Sequence, residues 1–192
     1  PHPTDNTPTT TPEPPKTKRH QHHTKLSANR GILTPPNAHM AREYRISDVQ
    51  LELLYPPQNF MDHQESDRWR NTNNNSLVVK VSYGDASFLF TGDIMVPAEM
   101  ELVGLAGSRL SSKVLIAPHH GSRSSSSQQF LEKVDPEVVI VSCSRNSRYK
   151  FPHPEIMQRY NNLGVSIFRT DRNGAVRLSS NGQQLAINPL IP

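Results

Sequence analysis

The 192-residue chain has one cysteine, Cys143, which excludes an internal disulfide framework. It follows the apolar run Val138-Val139-Ile140-Val141 and reads as a buried structural thiol rather than a nucleophile. No apolar run approaches the ~18 residues of a membrane span. Hydrophobic residues make up 34% and aromatic ones 6%, which is lean for a folded protein of this length. The shortage is uneven, because eight of the 17 prolines fall in the first 36 positions, leaving a body richer in core-forming residues. Charge divides the same way: residues 1–45 hold seven Lys/Arg against three Asp/Glu, and residues 46–192 hold fourteen of each. The basic excess belongs to the tail, and the neutral body lacks the broad electrostatic footprint of a nucleic-acid binder. There is no signal-peptide pattern, and residue 1 is proline rather than methionine; the expectation is a piece of a longer product.

Residues 1–43 are Pro/Thr-rich, then Lys/His-rich, with almost no apolar periodicity. Such a segment buries too little apolar surface to offset roughly 1–2 kcal/mol per residue of backbone ordering. A flexible tail or linker is predicted, with His20, His22 and His23 in a solvated patch. The domain is expected over residues 44–192. From Val49 a period of two marks a strand ending at Pro56-Pro57. Asp62 and His63 then fall in a polar loop. Leu77 to Tyr83 and Ala86 to Thr91 form a hairpin over Gly84-Asp85. A helix follows over Val96 to Ala106, with Asp93 as a candidate N-cap and Met100, Val103, Leu105 and, beyond it, Leu110 turned inward. Further strands are predicted at Lys113 to Ala117, Glu137 to Ser142 and Val165 to Phe168, with helices over Gln128 to Val134 and Pro154 to Leu163 between them. Short closing strands over Ala175 to Leu178 and Gln184 to Ile187 complete the pattern. Alternating strands and helices with antiparallel hairpins at both ends define an α/β layered domain.

Three places carry chemistry. Val114-Leu115-Ile116 delivers Pro118-His119-His120-Gly121-Ser122; Phe88-Leu89-Phe90 delivers Thr91-Gly92-Asp93; and His153 sits between two prolines at a helix start. An aspartate and three histidines at the ends of elements are the ligand chemistry of a hydrolytic metal site. The plainer alternative for the His pair is a solvated loop. Arg145, Arg148 and Lys150, with Tyr149 and Phe151 among them, form a basic-aromatic cluster suited to a phosphate backbone and stacked bases.

These motifs occur in a family order: Leu54-Tyr55-Pro56-Pro57, Asn73-Asn74-Asn75-Ser76-Leu77-Val78, Phe90-Thr91-Gly92-Asp93, Pro118-His119-His120-Gly121-Ser122, Ser124-Ser125, His153-Pro154, and Arg169-Thr170-Asp171 before Gly174. The run from about Tyr44 to Ile187 resembles the C-terminal half of a metallo-β-lactamase-fold domain, in the version attached to ComEC-type competence proteins, which take up DNA. The resemblance implies one half of an αββα sandwich and metal-dependent hydrolysis of DNA. It implies zinc or manganese at Asp93, His119 and His153, with His120 and His153 as candidate catalytic groups. Gly121, Ser122 and Ser124 would receive a phosphate, as would Arg145, Arg148 and Lys150. It further implies a partner half of the domain, a membrane channel portion, and a place on the extracytoplasmic face of the bacterial inner membrane. The family's first metal motif, His-x-His-x-Asp-His, is absent, so this chain alone is expected to be a weak or inactive nuclease. Two other readings stay open: a metallo-hydrolase of another small substrate, and a non-catalytic remnant module.

Overall fold

The computed structural model describes residues 42–57 and 67–192. The expectations for the tail, including its histidines, and for Asp62 and His63 therefore lie outside the described residues, except at Arg42 and Glu43. Those two join the folded body: the Arg42 guanidinium donates to the Pro56 carbonyl at 2.8 Å, and Glu43 opens the first strand.

The described residues form a seven-stranded sheet whose strands lie in sequence order, β1 to β7. β1 (Glu43–Ile46), β2 (Val49–Tyr55), β3 (Val78–Tyr83) and β4 (Ala86–Phe90) make an antiparallel meander. β4, β5 (Val114–Ile116), β6 (Val138–Val141) and β7 (Ser166–Arg169) then pair in parallel. Parallel neighbours require crossovers, and these are α1 (Val96–Ala106), α2 (Gln128–Val134) and α3 (Pro154–Asn162). After β7 come a single helical turn, α4 (Thr170–Asn173), and a separate hairpin of β8 (Val176–Ser180) and β9 (Leu185–Pro189).

Side-chain alternation along the strands sorts two cores. Leu89, Leu115, Val139 and Val141 face the helices, against Leu102 of α1, Phe130 and Leu131 of α2, and Ile156 and Tyr160 of α3. Val114, Val138 and Ile140 point the other way and pack with Val176, Leu178, Leu185 and Ile187 of the β8–β9 hairpin. Burial on both faces is why β6 reads as an unbroken apolar run. The layered α/β architecture expected from the sequence is present. β1 is an addition: its four residues are all exposed, and Tyr44 and Ile46 alternate with Glu43 and Arg45 over too short a run to mark a strand.

α1 departs from expectation. Its buried residues are Ala98, Glu99, Leu102 and Ala106, while Met100 and Leu105 are 38% and 49% exposed. Asp93 is not its cap either. Met95 occupies that position without a side-chain hydrogen bond, which leaves the Asp93 carboxylate for other partners.

Candidate functional site

In open α/β sheets, ligands bind outside the carboxyl ends of parallel strands. A cleft of about 660 Å³ opens at that rim, and its walls include Asp93, His119, His120, Cys143, Tyr149 and Phe151. Asp93 follows β4, the His pair follows β5 and Cys143 follows β6, so three adjacent parallel strands feed one cleft.

The His pair is held in an unusual backbone. His119 (φ 48, ψ 41) and His120 (φ 57, ψ 22) are consecutive left-handed residues, each costing roughly 1–2 kcal/mol for a residue with a Cβ. Several contacts fix them there. The His119 N–H donates to the Gly92 carbonyl at 3.0 Å and the His153 N–H to the Gly121 carbonyl at 2.8 Å. Strained residues over-determined by their surroundings cluster at functional sites.

The imidazoles differ in their surroundings. His120 Nδ1 lies 2.8 Å from the Ser142 carbonyl, an acceptor, so this nitrogen carries the proton. In the neutral ring Nε2 then presents a lone pair, and it faces Asp93 Oδ1 at 3.5 Å. An imidazole nitrogen and a carboxylate oxygen at that separation suit a shared proton or a shared cation. A histidine oriented by a backbone carbonyl behind it is the usual support of a metal-ligating ring. His119 sits deeper: Asn73 Nδ2 lies 3.4 Å from its Nε2, and its Nδ1 is buried with no hydrogen-bond partner. Burial lowers the pKa of His119, as does His120, against an opposing pull from Asp93.

The other expected site residues are placed as follows. His153 is at the N-cap of α3, where its Nδ1 accepts the Glu155 N–H at 3.3 Å, and it is not among the cleft walls. Asp93 and His120 form a pair at this rim with His119 beside it, and His153 joins the His loop through its backbone N–H to the Gly121 carbonyl. Among the described residues no three His, Cys, Asp or Glu side chains form a group able to hold a metal. Ser122 and Ser124 hydroxyls bond each other at 3.0 Å rather than lining the cleft. Gly121 is buried beneath it, against Pro152. Arg145 donates to the Asp171 carbonyl at 3.2 Å, Arg148 lies over the Tyr149 ring, and Lys150 is exposed.

Cys143 is half-buried in the cleft wall rather than lost in the core. Its Sγ donates to Asp171 Oδ1 at 3.1 Å. Burial and that carboxylate push the thiol pKa up, which suppresses thiolate chemistry at neutral pH. The Arg169 guanidinium, 2.8 Å from Asp171, holds the Asp171 pKa down.

The structure therefore defines a layered α/β domain with an aspartate–histidine pair at the carboxyl-end cleft of its parallel strands. No family model matches the chain. It is similar to ComE operon protein 3 of Bacillus subtilis, 30% identical over 133 residues that cover 69% of this chain and 16% of that protein. It is 40% identical to competence protein ComA of Neisseria gonorrhoeae over 55% of this chain and 15% of that protein. With recombination protein 2 of Haemophilus influenzae the identity is 34%, over 57% of this chain and 14% of that one. The chain belongs with the ComEC-type competence proteins, and its matched part spans about one sixth of the length of these relatives. Among the described residues no helix is long and apolar enough to cross a membrane.

Proposed function

We propose that this chain forms one flank of a divalent-metal-dependent phosphodiesterase site that acts on DNA during competence-associated uptake, within a metallo-β-lactamase-like αββα sandwich. The observation that carries this reading is the approach of His120 Nε2 to Asp93 Oδ1, 3.5 Å apart at the cleft rim. Asp93 and His120 would hold the ion, and their mixed oxygen and nitrogen donors suit zinc or manganese. His119, whose buried Nδ1 has no hydrogen-bond partner, lines the same cleft. Such an ion would supply a hydroxide nucleophile and neutralise charge on a phosphoryl oxygen. His153 uses only Nδ1 for capping, and its Nε2 would stay available as a ligand or as a general acid beside the leaving oxygen. The remaining donors would come from outside the described residues. Within a larger protein the domain would lie on the extracytoplasmic face of the inner membrane, beside a membrane channel.

A second reading, a binding module without catalysis, is favoured by the meeting of only two donors among the described residues. Titration of the 192-residue chain with manganese separates the two. Weak binding is expected, reduced at least about tenfold in both Asp93→Ala and His120→Ala, with slow DNA cleavage by the native chain. Manganese binding unchanged in both variants would remove the metal reading. Rapid cleavage lost in Asp93→Ala would show that the chain carries a complete site.

A further inference from the structure

The cleft has an aromatic wall that the metal chemistry does not use. Phe151 meets His119 edge to face, with ring centroids 5.6 Å apart and planes at 70°. Tyr149 stacks on Phe151 at 5.7 Å and 24°. The Arg148 guanidinium lies 4.8 Å from the centre of the Tyr149 ring. These groups run in succession from the deeper His119 to the exposed end of the wall, where Tyr149 is 63% exposed. An exposed ring kept in place by stacking on its neighbours is a preformed surface for another planar group.

Charge indicates which planar group. Residues 46–192 are neutral overall, yet 144–154 contain Arg145, Arg148 and Lys150 and no Asp or Glu. The body's local cation excess thus coincides with its stacked rings, beside a cleft of about 660 Å³, a volume that accommodates a small ligand or one unit of a polymer. Cations interleaved with rings bind the phosphates and base faces of a single strand. In a duplex those faces are already stacked, and only a splayed, unpaired base offers one to a side chain.

We propose that loop 144–151 is a stacking wall for an unpaired nucleobase, with Tyr149 as its main contact, so that the cleft takes single-stranded nucleic acid rather than an intact duplex. The inference rests on the nucleic-acid reading of this cleft but not on metal or cleavage.

The test is fluorescence anisotropy of the full 192-residue chain with a short labelled oligodeoxythymidylate. A chelator is present, so the outcome is independent of the manganese titration. Tyr149→Ala is expected to weaken binding about tenfold, the effect of losing one base–aromatic stack, while Tyr149→Phe, which keeps the ring, stays within about twofold. An abasic strand of the same length should bind the native chain as weakly as the thymidylate binds Tyr149→Ala, and should be indifferent to that substitution. The basic residues of 1–45 contribute equally to both strands and cancel in the comparison. Equal thymidylate binding by native and Tyr149→Ala chains would overturn the proposal. So would an equal loss for thymidylate and abasic strands, or native binding of the abasic strand as tight as that of thymidylate. Failure here with ligand-dependent manganese binding intact would leave the metal reading standing, and the reverse result would leave the stacking wall standing.

Discussion

Gly121→Ala is expected to destabilise the chain by about 2–4 kcal/mol and to pull the cleft apart. Gly121 has φ +76, and a Cβ built there would sit 2.7 Å from Pro152 Cβ and 3.3 Å from Pro152 Cα. The obstacle is a rigid ring and its backbone, so no flexible side chain can swing away. The Gly121 carbonyl also accepts the His153 N–H at 2.8 Å. This is where the loop after β5 meets the loop after β6. Forcing them apart would loosen the 2.8 Å contact between His120 Nδ1 and the Ser142 carbonyl, which orients the ring facing Asp93. Gly107 is the internal comparison: its φ is +54, but a Cβ there would meet nothing within 4 Å. Gly107→Ala should therefore show the cost of its positive-φ backbone (φ 54, ψ −125) alone, roughly 1–3 kcal/mol, with no steric clash added. Urea midpoints of the two variants decide the matter, and equal losses would mean that Pro152 yields and the close-packing argument fails.

The comparison with the sequence divides along physical lines. Elements whose signal is local were legible. The β3–β4 hairpin is announced by Gly84-Asp85, β6 by its apolar run, and α3 by Pro154 with Ile156 and Tyr160 one turn apart. Asp93 and the His pair were legible too, because a glycine or proline beside a polar group at the end of an apolar run marks where a strand presents chemistry. What was not legible depends on partners distant in sequence. Which histidine faces Asp93 is decided by two consecutive left-handed residues and by the Ser142 carbonyl, 22 positions on, and no spacing rule encodes that. His153 looked like a ligand; its Nδ1 also caps α3 through the Glu155 N–H, a second role that leaves Nε2 uncommitted. α1 is apolar around much of its circumference, so its inward stripe could not be chosen from periodicity. Ser122 and Ser124 looked like an anion cradle, yet their hydroxyls bond each other; behind them Ser125 and Ser126 are fully buried, and Ser127 is the N-cap of α2. Ser125 donates to the nearby Pro118 and Ser122 carbonyls, while Ser126 and Ser127 pair with Glu99, and Ser126 also with Arg159 and Tyr160, none of which a local pattern connects to them.

Glu99 is the centre of that network, and its loss is expected to be the most damaging single change. The side chain is fully buried. One carboxylate oxygen accepts the Ser126 N–H and the other the Ser127 N–H at 2.8 Å. Ser126 is itself left-handed at φ 57; its hydroxyl bonds the Tyr160 hydroxyl at 2.6 Å, and its carbonyl accepts from Arg159. Glu99→Ala leaves two backbone donors without partners and removes the anion opposite Arg159, for an expected loss of about 3–5 kcal/mol. Glu99→Gln keeps the shape and isolates the charge. Burial raises the Glu99 pKa, against the Ser126 and Ser127 hydrogen bonds and Arg159. The folded chain therefore holds this proton to higher pH than the unfolded chain, whose glutamate titrates near about 4.3. The stability linked to it is fully present below that value and is lost as pH rises through the folded-state pKa. The glutamine variant carries no such dependence, and its amide sets an N–H2 group against one of the two backbone donors at every pH. Native stability should exceed that of Glu99→Gln most at pH 4, with the margin shrinking toward pH 7. Urea denaturation of both chains across that range measures the margin. A margin that widens with pH would mean that the two N–H groups and Arg159 outweigh burial, so that the carboxylate itself, rather than the shape of the side chain, holds the serine turn beneath the His pair.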